Sequence, residues 1–226
     1  MPFLGLFLII LFAAVIFGPG LWTKRVLARH NADRPDYPGT GGELARHLLD
    51  GYKLSHIPVE VTDQGDHYDP INKAVRLSKD YYHGRSLTAI AVAAHEVSHA
   101  IQDRDGYKPL ARRTQLVKSV RIWQQIGNVM IVVASIGSLF IAGPLAFVIG
   151  LFGFLLTGLL GVIVHLSTLP VEIDASFNRA LPILEHGGYL PKDDLPAARE
   201  ILKACAYTYV AAALGSILNL LRLLRR

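Results

Sequence analysis

His95-Glu96-Val97-Ser98-His99 places two imidazoles four residues apart with a carboxylate between them. On a helix, residues four apart share one face, so both rings can reach a single zinc ion. A zinc ion held this way lowers the pKa of its bound water towards neutrality and polarises a scissile carbonyl. Glu96, beside the two ligands, is placed to take a proton from that water and pass it to a leaving amine. Burying two histidines and a glutamate with neither metal nor a complete hydrogen-bond network would cost several kcal/mol. A structural zinc site favours four ligands rich in cysteine, whereas the single cysteine, Cys205, lies far downstream.

A catalytic zinc needs a third protein ligand and an open position. Asp105 stands six residues after His99, but Gln102 occupies the place where a glycine would have to break the helix and turn Asp105 back. The acidic pair in Pro170-Val171-Glu172-Ile173-Asp174-Ala175-Ser176 is the better source, and Glu172 is the expected ligand. Asp174 is then either a group orienting a ligand histidine or the ligand itself. The plainer reading of both acids is that they open a helix and favour its positive N-terminus. Arg179, seven residues after Glu172, is expected to pair with Asp174 or a substrate carbonyl. His67, Tyr82 and His83 are either oxyanion donors or solvated loop residues.

The elements that position these residues can be read in order. Glu43 to Asp50 has the pattern of a short amphipathic helix closed by Gly51. Val59-Glu60-Val61 and Ala74 to Ser78 alternate as strands, separated by the turn-rich Asp66 to Asn72. The second of these is expected to be an edge strand that takes a substrate backbone by strand addition. Ser86 offers an N-cap for a helix running to Asp105, stopped by Gly106, and its apolar residues from Leu87 to Ile101 predict burial.

Around this segment lie apolar runs. Pro2 to Trp22 has the length of a membrane span and is followed by Lys24, Arg25, Arg29 and Arg34. Ile122 to Leu169 is too long for one span and is broken at Gly143-Pro144, which predicts two antiparallel membrane helices. Arg112, Arg113, Lys118 and Arg121 precede it, and the positive-inside rule puts both the segment 23–121 and the chain after Leu169 in the cytoplasm. His165, near the inner end of this hairpin, reads as an ordinary interfacial residue. Ala204 to Leu221 either spans or lies on the membrane. The expected organisation is a transmembrane helix (1–22), a cytoplasmic catalytic region (23–121), a transmembrane hairpin (122–169), a cytoplasmic helix with the third ligand (170–203) and a C-terminal hydrophobic helix (204–226). The net charge of +5 is explained by these flanking residues, with no nucleic-acid motif.

His95-Glu96-Val97-Ser98-His99-Ala100-Ile101-Gln102, His67-Tyr68-Asp69-Pro70 with Val75-Arg76-Leu77-Ser78, and the Glu172 segment together resemble the YugP-type neutral membrane zinc metallopeptidases. More distantly they resemble the HtpX-type and CAAX prenyl proteases, where a glutamate on a later helix completes the metal site. The resemblance implies a mainly α membrane protein with a small cytoplasmic α+β, gluzincin-like zinc-protease domain. It implies Zn2+ on His95, His99 and Glu172, a bacterial plasma-membrane location, and protein or peptide substrates. Ser98 stands where the family pattern has glycine, and Ser176 where the HtpX-type pattern has an acidic residue. A catalytically silent adaptor or chaperone on the same scaffold would be marked by loss of Glu96 or a ligand, and neither is lost.

Overall fold

The computed structural model describes residues 2–138 and 143–224, with only the backbone described for residues 2–12, 15, 16 and 216–224. The chain is mostly helical with one three-stranded sheet. It divides into two compact units, one of Met1–Pro19, Arg112–Thr168 and Tyr209–Arg226, the other of Gly20–Ala111 and Leu169–Thr208.

In the second unit, helix α2 (Gly41–Gly51) starts on a capping box: the Thr40 side chain accepts from the Glu43 amide, and the Glu43 carboxylate accepts from the Thr40 amide. Gly41 is required by packing, since a Cβ there would lie 2.4 Å from the Tyr81 carbonyl oxygen and 2.8 Å from that of Ala89. The sheet contains β1 (Val59–Val61), β2 (His67–Asp69) and β3 (Ala74–Leu77) in the order β1-β3-β2, with β1 parallel and β2 antiparallel to β3. The expectation that Ala74 to Ser78 forms an edge is therefore corrected: β3 is the central strand. The reason is a third strand inside the stretch read as turn, with Tyr68 facing the core and its hydroxyl donating to Asp103 at 2.6 Å.

Helix α3 (Lys79–His83) leads to α4 (Leu87–Arg104), which is buried from Leu87 to Gln102. Its ends follow the signals in the sequence. The Ser86 hydroxyl accepts from the Ala89 amide, Asp105 is the C-cap, and Gly106 takes the left-handed φ of +64° that closes the turn. Leu48, Leu49, Val75, Leu77, Leu184 and Leu202 belong to the core around α4.

In the first unit, α5 (Lys108–Gly137) and α6 (Gly143–Ile173) run antiparallel and approach closely at glycines. A Cβ on Gly153 would lie 2.6 Å from the Gly127 carbonyl oxygen, and one on Gly127 would lie 2.7 Å from the Thr157 methyl. Large apolar side chains such as Ile122, Val129, Phe147 and Phe152 remain exposed. Among the described residues, one helix is long and apolar enough to cross a membrane. It is the continuous stretch Gly143–His186, with a mean hydropathy of 2.6 in its most apolar window. The run Pro2 to Trp22 lies in α1 (Pro2–Arg29), and Ala204 to Leu221 in α8 (Leu195–Leu224). Many of their side chains fall outside the described residues, as do residues 139–142 between α5 and α6.

One local expectation fails. Glu172 and Asp174 do not open a helix, because α6 runs on through Pro170 to Ile173 and continues as a π-helical stretch, Asp174–Ala180, into α7 (Leu181–His186). The helix-terminus account of the acidic pair has no terminus to act on.

Candidate metal centre

Helix α4 delivers His95 and His99 from one face, and α6 delivers Glu172 in its last turn. All three are buried. The Nε2 of His95 lies 3.1 Å from Glu172 Oε2, the Nε2 of His99 lies 3.3 Å from the same oxygen, and the two ring nitrogens are 3.3 Å apart. These three separations test whether a metal fits. A tetrahedral ion with ligand bonds of about 2.0–2.1 Å sets its donors about 3.3 Å apart, so the triangle has the size that one small divalent ion requires. Two imidazole nitrogens and one carboxylate oxygen are also the donor types of a catalytic zinc site.

The electrostatics point the same way. Burial of Glu172 would raise its pKa, but His99 and His95 outweigh it and hold the carboxyl well below the usual range. Burial of His99 opposes protonation, yet Glu172 pushes the imidazole up to about 9. The pocket thus stabilises positive charge at the point where the three donors meet. Glu96, next to both rings, behaves differently: burial raises its pKa, opposed by His95 and His99 and assisted by the negative charges of Glu172 and Asp66. It is a carboxyl poised to hold a proton.

The donors are braced from behind. His95 Nδ1 lies 3.1 Å from Ser176 Oγ, and His99 Nδ1 lies 2.9 Å from Gln102 Oε1. Gln102 Nε2 donates to the Val171 carbonyl at 2.9 Å and to Asp174 Oδ2 at 2.8 Å. Asp174 also accepts from Asn178 and Arg179, and Arg179 reaches Asp105 at 2.7 Å. Ser98, in the glycine position of the motif, donates its hydroxyl to the Ala94 carbonyl and is fully buried, so it leaves the helix intact.

The structure thus brings His95, Glu96, His99 and Glu172 together and sets Asp174 one residue behind them, linked to His99 through Gln102. Arg179 pairs with Asp174, one of its two expected partners. Asp105 caps α4 and pairs with Arg104 and Arg179. His67 sits on β2 with its Nδ1 2.8 Å from the Gly65 carbonyl oxygen. Tyr82 and His83 are edge-to-face neighbours on α3, in the wall of a cavity shared with α2. His165 lies beside Tyr209, with ring centroids 6.2 Å apart.

Sequence reasoning missed Gln102 and Cys205 as neighbours of the site, and marked Ser176 only as standing where the HtpX-type pattern has an acidic residue. Burial pushes the Cys205 thiol up, and Glu96, Glu172 and Asp66 add to this, so it stays protonated. Gln102 carried a usable signal: an amide three residues after His99, at the end of the stretch expected to be buried.

The model of a family described as "Putative neutral zinc metallopeptidase" matches residues 5–226. The chain belongs to this family. It is also 38% identical over 186 residues to the "Putative membrane protease YugP" of Bacillus subtilis (strain 168), covering 81% of this chain and 78% of that protein. No solved structure matches the chain. Membership makes zinc the metal that the buried His95, His99 and Glu172 set is suited to hold.

Proposed function

We propose that the chain is a multi-pass zinc metalloendopeptidase of the bacterial plasma membrane, hydrolysing peptide bonds of membrane or membrane-proximal proteins at the cytoplasmic face. The observation that carries this reading is the triangle of His95 Nε2, His99 Nε2 and Glu172 Oε2, with separations of 3.1–3.3 Å, and buried Glu96 beside it. In this reading His95, His99 and Glu172 hold the metal. When bound, zinc polarises the scissile carbonyl and lowers the pKa of the attacking water. Glu96 takes the proton of that water and gives it to the leaving amine, a role supported by its raised pKa. Asp174 and Arg179 position the site from behind, and His67 takes no part in holding the metal.

Peptide rather than some other amide is favoured by the sheet. β2 is a free edge next to α4, and Asp66, just before it, is close enough to influence the charge of Glu96. An extended backbone adding to that edge would be carried towards the metal. The cytoplasmic orientation is supported by the basic residues Lys24, Arg25 and Arg29 after the first apolar run, and by Arg112, Arg113, Lys118 and Arg121 before the second.

The test is bound zinc and cleavage of an unfolded model protein, measured on detergent-purified chain. Glu96→Gln is expected to keep its zinc and lose cleavage by at least about 100-fold, while Glu172→Ala loses both. A parent that holds no zinc, or a Glu96→Gln protein that cleaves as well as the parent, would overturn the reading in favour of a silent adaptor.

A further inference from the structure

We infer that Gln102 is a positioning residue for the metal site: its side-chain amide keeps the proton of the neutral His99 ring on Nδ1, so that Nε2 is the nitrogen offered to zinc, and Asp174 and Arg179 hold that amide in place. The inference rests on the ligand set proposed above and adds what keeps it aligned.

The argument starts from the two ends of one amide. Gln102 Nε2 faces two acceptors that cannot donate, the Val171 carbonyl and the Asp174 carboxylate, at 2.9 and 2.8 Å. An amide nitrogen has two protons to give and no lone pair to offer, so both partners dictate which end of the side chain is nitrogen. The other end, facing His99 Nδ1 at 2.9 Å, must then be oxygen. An oxygen with no proton requires the ring to bring one, so Nδ1 of His99 carries the hydrogen. When the ring gives up its other proton to bind a metal, the lone pair is therefore left on Nε2, the atom that faces His95 and Glu172. Gln102 is fully buried, so water does not compete for these contacts.

His95 differs. Its Nδ1 faces the Ser176 hydroxyl at 3.1 Å, and a hydroxyl can donate or accept, so this contact does not choose the ring state by itself. The two metal histidines are therefore braced unequally, and the stricter brace is on His99.

Asp174 is the anchor of the strict brace. Its carboxylate collects Gln102 from α4, and Asn178 and Arg179 from its own helix, at spacings of four and five residues. Arg179 then ties the assembly to Asp105 at the end of α4. The chain His99, Gln102, Asp174, Arg179, Asp105 begins and ends on α4 and clamps the π-helical stretch to it. Its outer end, Arg179 and Asp105, lines a cavity of about 530 Å³, while its inner end is sealed in the core.

The experiment is a zinc dissociation constant from chelator competition on the full detergent-purified chain, with the unfolding midpoint of each chelator-treated protein as the check on folding. Gln102→Met, close in size but unable to fix the ring, is expected to weaken zinc binding by about 10–100-fold. Asp174→Asn and Arg179→Lys, acting at one and two removes, should weaken it by successively less, and Tyr68→Phe, outside the chain of contacts, by nothing. Cobalt in place of zinc should show an altered visible spectrum in Gln102→Met, which loosened packing alone would not produce. A Gln102→Met protein with an unchanged midpoint and zinc binding within about twofold of the parent overturns the inference. If that variant does not fold, Asp174→Asn decides by the same twofold criterion. Glu172→Ala separates the two readings: retention of zinc there would sink the ligand set itself, whatever Gln102→Met does.

Discussion

Helices α4 and α6 are both built largely of apolar residues, yet they dispose of them in opposite ways. From Leu87 to Gln102 every residue of α4 is buried against protein. In α6, Phe147 is 69% exposed and Phe152 59%, and the most apolar window of its continuous helix is only 6% buried. A helix that is apolar all round needs surroundings other than water: α4 finds them in the protein core, and α6 has the length and composition to cross a membrane. The polar residues show the difference equally well. Four of those on α4 (His95, Glu96, His99 and Gln102) converge on one site, whereas the hydroxyls of α6 before the ligand segment, such as Thr157, Ser167 and Thr168, bond carbonyls of their own helix.

The sharpest way to break this comparison is to put one charge on each helix. Val97→Asp, at a site with no exposure, leaves an unpaired charge in the core and should cost about 3–5 kcal/mol, read as a collapse of the urea midpoint. Phe152→Asp should leave that midpoint nearly unchanged in detergent but cost about 3 kcal/mol of membrane insertion, read in a translocon insertion assay. If both variants unfolded alike, α6 would be a core helix and the contrast would fail.

The parts of this contrast that could be read from sequence were local ones. Ser86, Gly106 and the run between them define α4 because a cap, a stop and an apolar stretch act over a few residues. The pair His95 and His99 is legible for the same reason, since helical spacing alone puts them on one face. Glu172 could be expected only through an indirect argument, the need for a third ligand, and the same argument misplaced it at a helix start. Gln102 and Ser176 were not legible as braces because their roles depend on where the π-helical stretch sets α6 against α4. The central place of β3 was hidden because His67 to Asp69 is a strand of three polar or half-polar residues hemmed in by Gly65 and Pro70.

Smaller effects sharpen the picture at the wet end of α4. Tyr68→Phe removes the hydroxyl that donates to Asp103 and should lower stability by about 1.5 kcal/mol in urea titration. The smallest effect expected is a pH dependence confined to the unit that contains α4. A hydrogen bond from Arg179 holds the Asp105 pKa down, and one from Arg34 does the same for Asp194. At Asp69, burial works upward, but Asn72, the Ile71 amide and Arg76 outweigh it and hold the carboxyl low. A carboxylate depressed in the folded state binds protons more weakly there than in the unfolded chain. Its contribution is complete above the unfolded pKa of about 4 and is lost as pH falls through the folded value. The part of the urea midpoint that these carboxylates supply should therefore be flat from neutrality down to about pH 5 and decline below about pH 4. A decline that began near pH 6 would point instead to a histidine that folding holds neutral.

The π-helical stretch Asp174–Ala180 holds one more residue in its turn than an α-helix would, and that surplus works as an inserted spacer. Upstream of it Glu172 keeps the face that meets His95, and downstream Arg179 comes round to the Asp174 carboxylate five residues back, where an α-helix would have brought only Asn178. Removing a single residue from this stretch would turn everything after it by about 100° about the helix axis and carry Arg179 away from Asp174, without changing His95, His99 or Glu172. For this chain, the length of one helical turn is as much a part of the candidate metal centre as the identity of the three donors that face it.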